Sequence, residues 1–166
     1  MYSVGGYYFG IGAESGSPRI LRKLKKGISV EHILDAAKYS ISSGITFTFS
    51  FMAGVPGEEI EELLMTVDLI DKLWEINPKL LLIGPQLFRP YPGSDLFDEA
   101  LGYGLCTPNT LEEWSEETSK VIDSFSHAKK LDMTNLPWLK DPKLFEKVML
   151  CFYVSCMKRY FWKAPF

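Results

Sequence analysis

Cysteine is scarce: Cys106, Cys151 and Cys156 are all that 166 residues contain. An odd, scattered set builds no disulfide framework and fits a reducing cytoplasm, where the chain is expected. Histidine is scarcer still. His32 and His127 stand apart, and neither has metal-ligand spacing with another His or Cys. No apolar run approaches the ~18 residues of a membrane span. The opening Met1-Tyr2-Ser3-Val4-Gly5-Gly6 lacks the basic-then-apolar order of a signal peptide. No excess of positive charge exists either: 18 Lys and Arg face 21 Asp and Glu, a net charge of −3. That balance argues against a dedicated nucleic-acid binder.

What is present is an ordinary globular composition, 46% hydrophobic, with aromatics raised to 14%. The length suffices for one domain with its own core. Three segments, residues 7–14, 45–53 and 80–88, read as strands, and each is followed by a helical pattern. The helices expected are a short stretch at 18–26, then 30–43, 58–76 and 94–101. Ser29 is the expected N-cap of the second, and Gly44 its C′ residue. Strand–helix alternation means a parallel sheet covered by helices.

Side chains alternate faces along a strand. Tyr7, Phe9 and Ile11 oppose Gly10, Gly12 and Glu14; Phe47, Phe49 and Phe51 oppose Thr46, Thr48 and Ser50; Leu81, Ile83 and Leu87 oppose Gly84 and Gln86. Each strand thus has one greasy and one small or polar face. A doubly wound sheet, buried on both sides, favours apolar residues on both. The asymmetry suits a barrel with a ligand inside. Glu14, Ser50 and Gln86 recur at equal intervals of 36 residues, near one unit of a (β/α) barrel, where about 250 residues make eight. All three fall toward carboxyl strand ends, where parallel sheets place their sites. The fold expected is α/β, a partial (β/α) barrel of three parallel βα units over residues 1–104. Residues 105–166 lose the β pattern and read as a helical extension packed on the barrel. Thr110 caps a helix at 111–124, and Asp141-Pro142 opens a last helix with the stripe Phe145, Val148, Met149, Phe152 and Cys156.

Three turns carry the chemistry. Gly10-x-Gly12-x-x-x-Gly16 lacks the spacing of a dinucleotide fingerprint, and no Gly-Lys-Ser/Thr follows, so it is no phosphate loop. Glu14 there would repel a phosphate but accept hydrogen bonds from a ribose hydroxyl or an ammonium group. Gly54-Val55-Pro56-Gly57-Glu58 links the second strand to its helix, its glycines allowing close approach to the backbone. Arg89-Pro90-Tyr91-Pro92-Gly93-Ser94 makes a rigid turn after the third. A basic run, Arg19, Arg22, Lys23, Lys25 and Lys26, reads as a solvated helix end, with tRNA contact left open.

Five blocks in order resemble the second half of a radical S-adenosylmethionine (SAM) domain, in the branch with cobalamin-binding and methylthiotransferase members. They are Ile11-Gly12-Ala13-Glu14-Ser15-Gly16-Ser17, the Leu-x-x-Leu-x-Lys-Gly of residues 21–27, Gly44-Ile45, residues 54–58, and Pro90-Tyr91-Pro92-Gly93-Ser94-Asp95-Leu96. The resemblance covers residues 8–104. It implies an iron–sulfur oxidoreductase with a TIM-barrel-like domain and two cofactors, SAM and a 4Fe–4S cluster, with cobalamin as a further one in some members. The complete enzyme would cleave SAM reductively to a deoxyadenosyl radical, or use SAM and cobalamin in methyl transfer. Glu14 and Ser15 would face the ribose or amino end of SAM; Ser50 and Gly54 would line the pocket; Gln86 would reach toward SAM or substrate. The family's Cys-x-x-x-Cys-x-x-Cys is missing, so no catalytic or metal-ligating residue is assigned. Met1 is expected to be a truncation point, and the chain inactive alone. A bared lumen and open sheet edge lead to an expectation of homo-oligomers. The substrate is unspecified. The alternative is a non-catalytic α/β module that binds a nucleoside-like ligand or a partner protein.

Overall fold

A computed structural model describes residues 5–116 and 136–162, with side chains as far as Met157. The elements run β1 (Tyr8–Glu14), α1 (Pro18–Lys23), α2 (Val30–Ser42), β2 (Thr46–Ala53), α3 (Ile60–Ile76), β3 (Leu81–Leu87), α4 (Asp95–Gly102) and α5 (Pro142–Trp162). The three strands form one open parallel sheet in the order β1-β2-β3. Strands in sequential order, each followed by a helix, are the arrangement of a (β/α) barrel segment; a doubly wound sheet reverses its order part-way. The fold is α/β, as its sequence pattern indicates.

The chain divides into two compact units, Met1–Arg89 with Lys143–Phe166, and Pro90–Pro142. In the second, Ser94 caps α4 by accepting from the Phe97 N–H at 3.2 Å. Thr110 caps the helical residues 111–116 by accepting from the Glu113 N–H, also at 3.2 Å.

In the first unit the sheet has an outer face packed under helices. Ile11 pairs with Phe49, and Phe49 with Leu82. Phe49, Phe51 and Leu82 are buried there with Ile20, Ile33, Leu63, Ile70 and Leu73. Helix α5 belongs to this core. Phe145, Val148, Met149, Phe152 and Cys156 are all buried, and Phe152 meets Phe51 edge-on with ring centroids 6.1 Å apart. The Trp74 indole N–H of α3 donates to the Ser155 carbonyl at 2.9 Å. Cys151, on the same helix but outside this stripe, is exposed.

Three face assignments change. Ile83, placed with the greasy residues, pairs with Ser50 and is 46% exposed, while Leu82 takes the outer position. Ile41, which keeps helical spacing with the apolar Ile33 and Ala37 of α2, is exposed, and Ser40 is buried in its place. On α3 the buried residues are Glu62, Leu63, Thr66, Leu69, Ile70 and Leu73, leaving Leu64 exposed. A periodicity count over apolar residues alone passes over Glu62 and Thr66. Helix α3 also starts two residues late, since Glu58 serves the preceding turn and Glu59 is the N-cap.

Candidate functional site

The inner face runs Gly10, Thr48 and Leu81 in one row and Gly12, Ser50 and Ile83 in the next. Beyond it both ladders shift register. Between Ile83 and Gln86, β3 carries one residue more than β2, which sets Gln86 beside Met52. Glu14, Ser50 and Gln86 therefore share the carboxyl end of the sheet but not one row, despite their even spacing.

Glu14 ends β1 with φ 61, and Lys25, past α1, has φ 53; they are the non-glycine residues with positive φ among those described. That conformation costs a residue with a β-carbon about 1–2 kcal/mol. It turns the Glu14 carboxylate back over Gly12, so that a β-carbon at position 12 would collide with Oε1. The turn at Lys25 returns the next residue to the same place: Lys26 Nζ donates to Glu14 Oε1 at 3.0 Å. The Glu14 side chain is 14% exposed under this cover. Two strained turns thus hold a carboxylate–ammonium pair against a bare strand.

Ser15 is fully buried. Its hydroxyl accepts from the Ser17 N–H at 3.1 Å and shares a hydrogen with Thr66 Oγ1 at 3.2 Å. It shapes the turn from within. Ser50 is half-buried on the inner face and Gln86 is exposed. Gly54 has φ 80, a left-handed conformation glycine adopts freely, and its N–H donates to Glu58 Oε2 at 2.7 Å. Glu58 Oε2 also accepts from Val55 at 3.3 Å, while the buried Oε1 has no partner. Burial pushes the Glu58 carboxyl up to about 7 against the pull of those two N–H groups. Thr48 Oγ1 is likewise buried without a partner on the inner face.

The basic run is not a free patch. Lys26 is paired with Glu14, and Arg19 with Glu62 of α3. The second pair lay beyond sequence reasoning because its partners are 43 residues apart. His32, exposed, completes the α2 capping box by accepting from the Ser29 N–H through Nδ1 at 3.2 Å. No helix among the described residues is long and apolar enough to cross a membrane.

With this geometry in view, the comparison with known families bears on β1, β2 and the first part of α3. Residues 5–70 match the family model of the Radical SAM superfamily. Over those residues the chain is similar to the radical SAM family. The chain is 32% identical over 147 residues to an uncharacterized methyltransferase of Pyrococcus horikoshii, an alignment covering 89% of this chain and 28% of that protein. A putative methylthiotransferase of Methanocaldococcus jannaschii is 33% identical over 100 residues, 60% of this chain and 21% of the relative. The ribosomal protein uS12 methylthiotransferase of Aeromonas hydrophila is 39% identical over 67 residues, 39% of this chain and 15% of the relative. The chain thus spans little more than a quarter of the length of these relatives at most.

Radical SAM enzymes use SAM and a 4Fe–4S cluster. The cluster needs thiolates brought together, and Cys106, Cys151 and Cys156 lack the Cys-x-x-x-Cys-x-x-Cys spacing. Cys106 and Cys151 are exposed, and Cys156 is buried with its thiol pushed up to about 12 by burial. Among the described residues no three His, Cys, Asp or Glu side chains group as a metal would require. The ammonium and ribose hydroxyls of SAM are hydrogen-bond donors, and the acceptor that the inner face presents to such donors is the Glu14 carboxylate over Gly12.

Proposed function

We propose that this chain provides the SAM-positioning and substrate-cavity half of a radical SAM barrel, with cluster thiolates supplied from outside it. The Glu14 carboxylate held over Gly12 carries this reading. It accepts from a ribose hydroxyl or the ammonium of SAM, and Lys26 keeps it in place. Ser50 lines the floor one row away, the left-handed turn at Gly54 lets the adenine pass close to backbone, and Gln86 faces the substrate side. Ser15 acts indirectly, fixing the turn that presents Glu14. SAM, when bound, supplies the adenosyl or methyl group on which the family's chemistry runs; the chain's own residues bind it, orient it and keep water away.

The relatives' names, methyltransferase and methylthiotransferase, point to methyl or methylthio transfer as the reaction class, and cobalamin would enter only in the methyl-transfer variant. The exposed Tyr8 and Phe9 on edge strand β1, with Tyr7 just before it, support self-association of the chain by itself.

The test is anaerobic reconstitution of this chain within a protein carrying a Cys-x-x-x-Cys-x-x-Cys segment from its own gene. Reductive formation of 5′-deoxyadenosine or of a methylated product is expected, and Glu14→Ala should weaken SAM binding. A native reading frame without such a segment would remove the catalytic reading and leave a nucleoside-binding module.

A further inference from the structure

The turn after β1 and the turn after β2 come from separate βα units, yet one buried carboxylate ties them together. Glu62, in the first turn of α3, has a side chain only 10% exposed. Its Oε1 accepts from the Ser17 hydroxyl at 2.7 Å and from Arg19 Nε at 2.9 Å. Its Oε2 accepts from the Glu59 N–H at 3.0 Å and pairs with Arg19 Nη2. Arg19 Nη2 also reaches the Gly57 carbonyl at 2.6 Å. One guanidinium therefore holds both α3 and the loop that leads into it, using the rigid fork that lysine lacks. Burial alone would raise the Glu62 carboxyl, but hydrogen bonds from Arg19, the Glu59 N–H and Ser17 bring it down to about 2.

A second row of contacts runs beside the first. Thr66, one helical turn on, accepts from the Gly16 N–H at 2.9 Å and bonds the Ser15 hydroxyl. The approach is so close that a β-carbon at Gly16 would lie 2.8 Å from Thr66 Cα and collide with the Met65 carbonyl. Residues 15–17, which directly follow Glu14, are thus bolted to α3. The same helix is joined through Arg19 and Glu58 to the turn at Gly54–Gly57.

We infer that Arg19, Glu62 and Thr66 form a latch that makes the Glu14 turn and the Gly54 turn move as one body, so that the two ends of a bound adenosyl ligand are gripped together. They are positioning residues: none lies on the inner face. The ligand half of this inference rests on the SAM reading above; the mechanical half does not.

Two measurements separate these halves. The first is native-state hydrogen exchange of the chain without ligand, following amides at residues 15–17 and 54–55. Both sets should open together, and Arg19→Ala should speed both about tenfold or more while Leu69–Leu73 amides stay unchanged. Arg19→Lys, which keeps the charge but loses the fork, should still uncouple Gly54 and Val55. Faster exchange at residues 15–17 alone overturns the latch. The second measurement is S-adenosylhomocysteine titration of the wild type and of Arg19→Lys under conditions where both are folded. The variant should bind at least several-fold more weakly. Equal affinity of the two overturns the ligand role. Joint opening without any S-adenosylhomocysteine binding by the wild type supports the latch and overturns the SAM reading.

Discussion

The carboxylate of Glu14 occupies the space that a β-carbon at Gly12 would need. The two residues lie on one strand, two positions apart, and the positive φ of Glu14 folds its side chain back over its neighbour. The proposed SAM contact rests on this placement of a polar group over bare backbone, and the first predictions concern it.

Gly12→Ala should displace the Glu14 carboxylate and break its 3.0 Å pair with Lys26. The pair is partly exposed, so stability should fall by only about 1 kcal/mol, whereas S-adenosylhomocysteine affinity should fall much further. Calorimetric titration beside urea unfolding distinguishes the two effects.

Glu14→Gln keeps the shape and removes the charge. A lost hydrogen bond to a charged group is worth roughly 1.5–3 kcal/mol, so affinity for S-adenosylhomocysteine should drop about tenfold to a hundredfold. Unchanged affinity would detach Glu14 from the ligand.

Gly16→Ala is a packing test. Its β-carbon has nowhere to go against the backbone of Met65 and Thr66. Overpacking of this kind costs ~1–3 kcal/mol and can exceed that where backbone must move. The urea midpoint should fall with an unchanged slope. Phe152→Ala should cost about 3–5 kcal/mol, since the ring is fully buried against Phe51.

Glu58 and Glu62 should give opposite pH dependences. The Glu58 carboxyl rises from 4.5 to about 7 on folding, so the native state holds the extra proton between those values. Its contribution is full below pH 4.5 and is lost as pH rises through 7, an effect of up to ~3 kcal/mol. Glu62 falls from 4.5 to about 2, so its contribution is present above pH 4.5 and lost on acidification toward 2. The difference in unfolding free energy between wild type and Glu58→Gln should move in the variant's favour from pH 4.5 to 8. A flat difference would show that the Glu58 side chain is solvated.

Much of the fold was legible because strands and helices here obey simple periods. The last helix buries the five residues its spacing selects, and Ser29 and Thr110 cap as their positions indicate. What escaped has two physical causes. Register shifts in both ladders break the alternation, which is why Ile83 and Leu87 fall on different faces and why Glu14, Ser50 and Gln86 miss a common row. Buried polar groups leave no trace in an apolar count. Glu62 and Thr66 sit in the core because Arg19, Ser17 and Gly16 satisfy them, and those partners are more than forty residues away. Ser15 was legible as a motif residue, but its burial was not.

The most direct test of the inner-face site is an NMR titration of the isotopically labelled chain with S-adenosylhomocysteine to millimolar concentration. The account predicts shift changes concentrated at Gly12, Glu14, Ser50, Gly54 and Gln86, with Phe49, Leu82 and Phe152 on the outer side unmoved. Saturating changes confined to the outer side, or none anywhere, would contradict it.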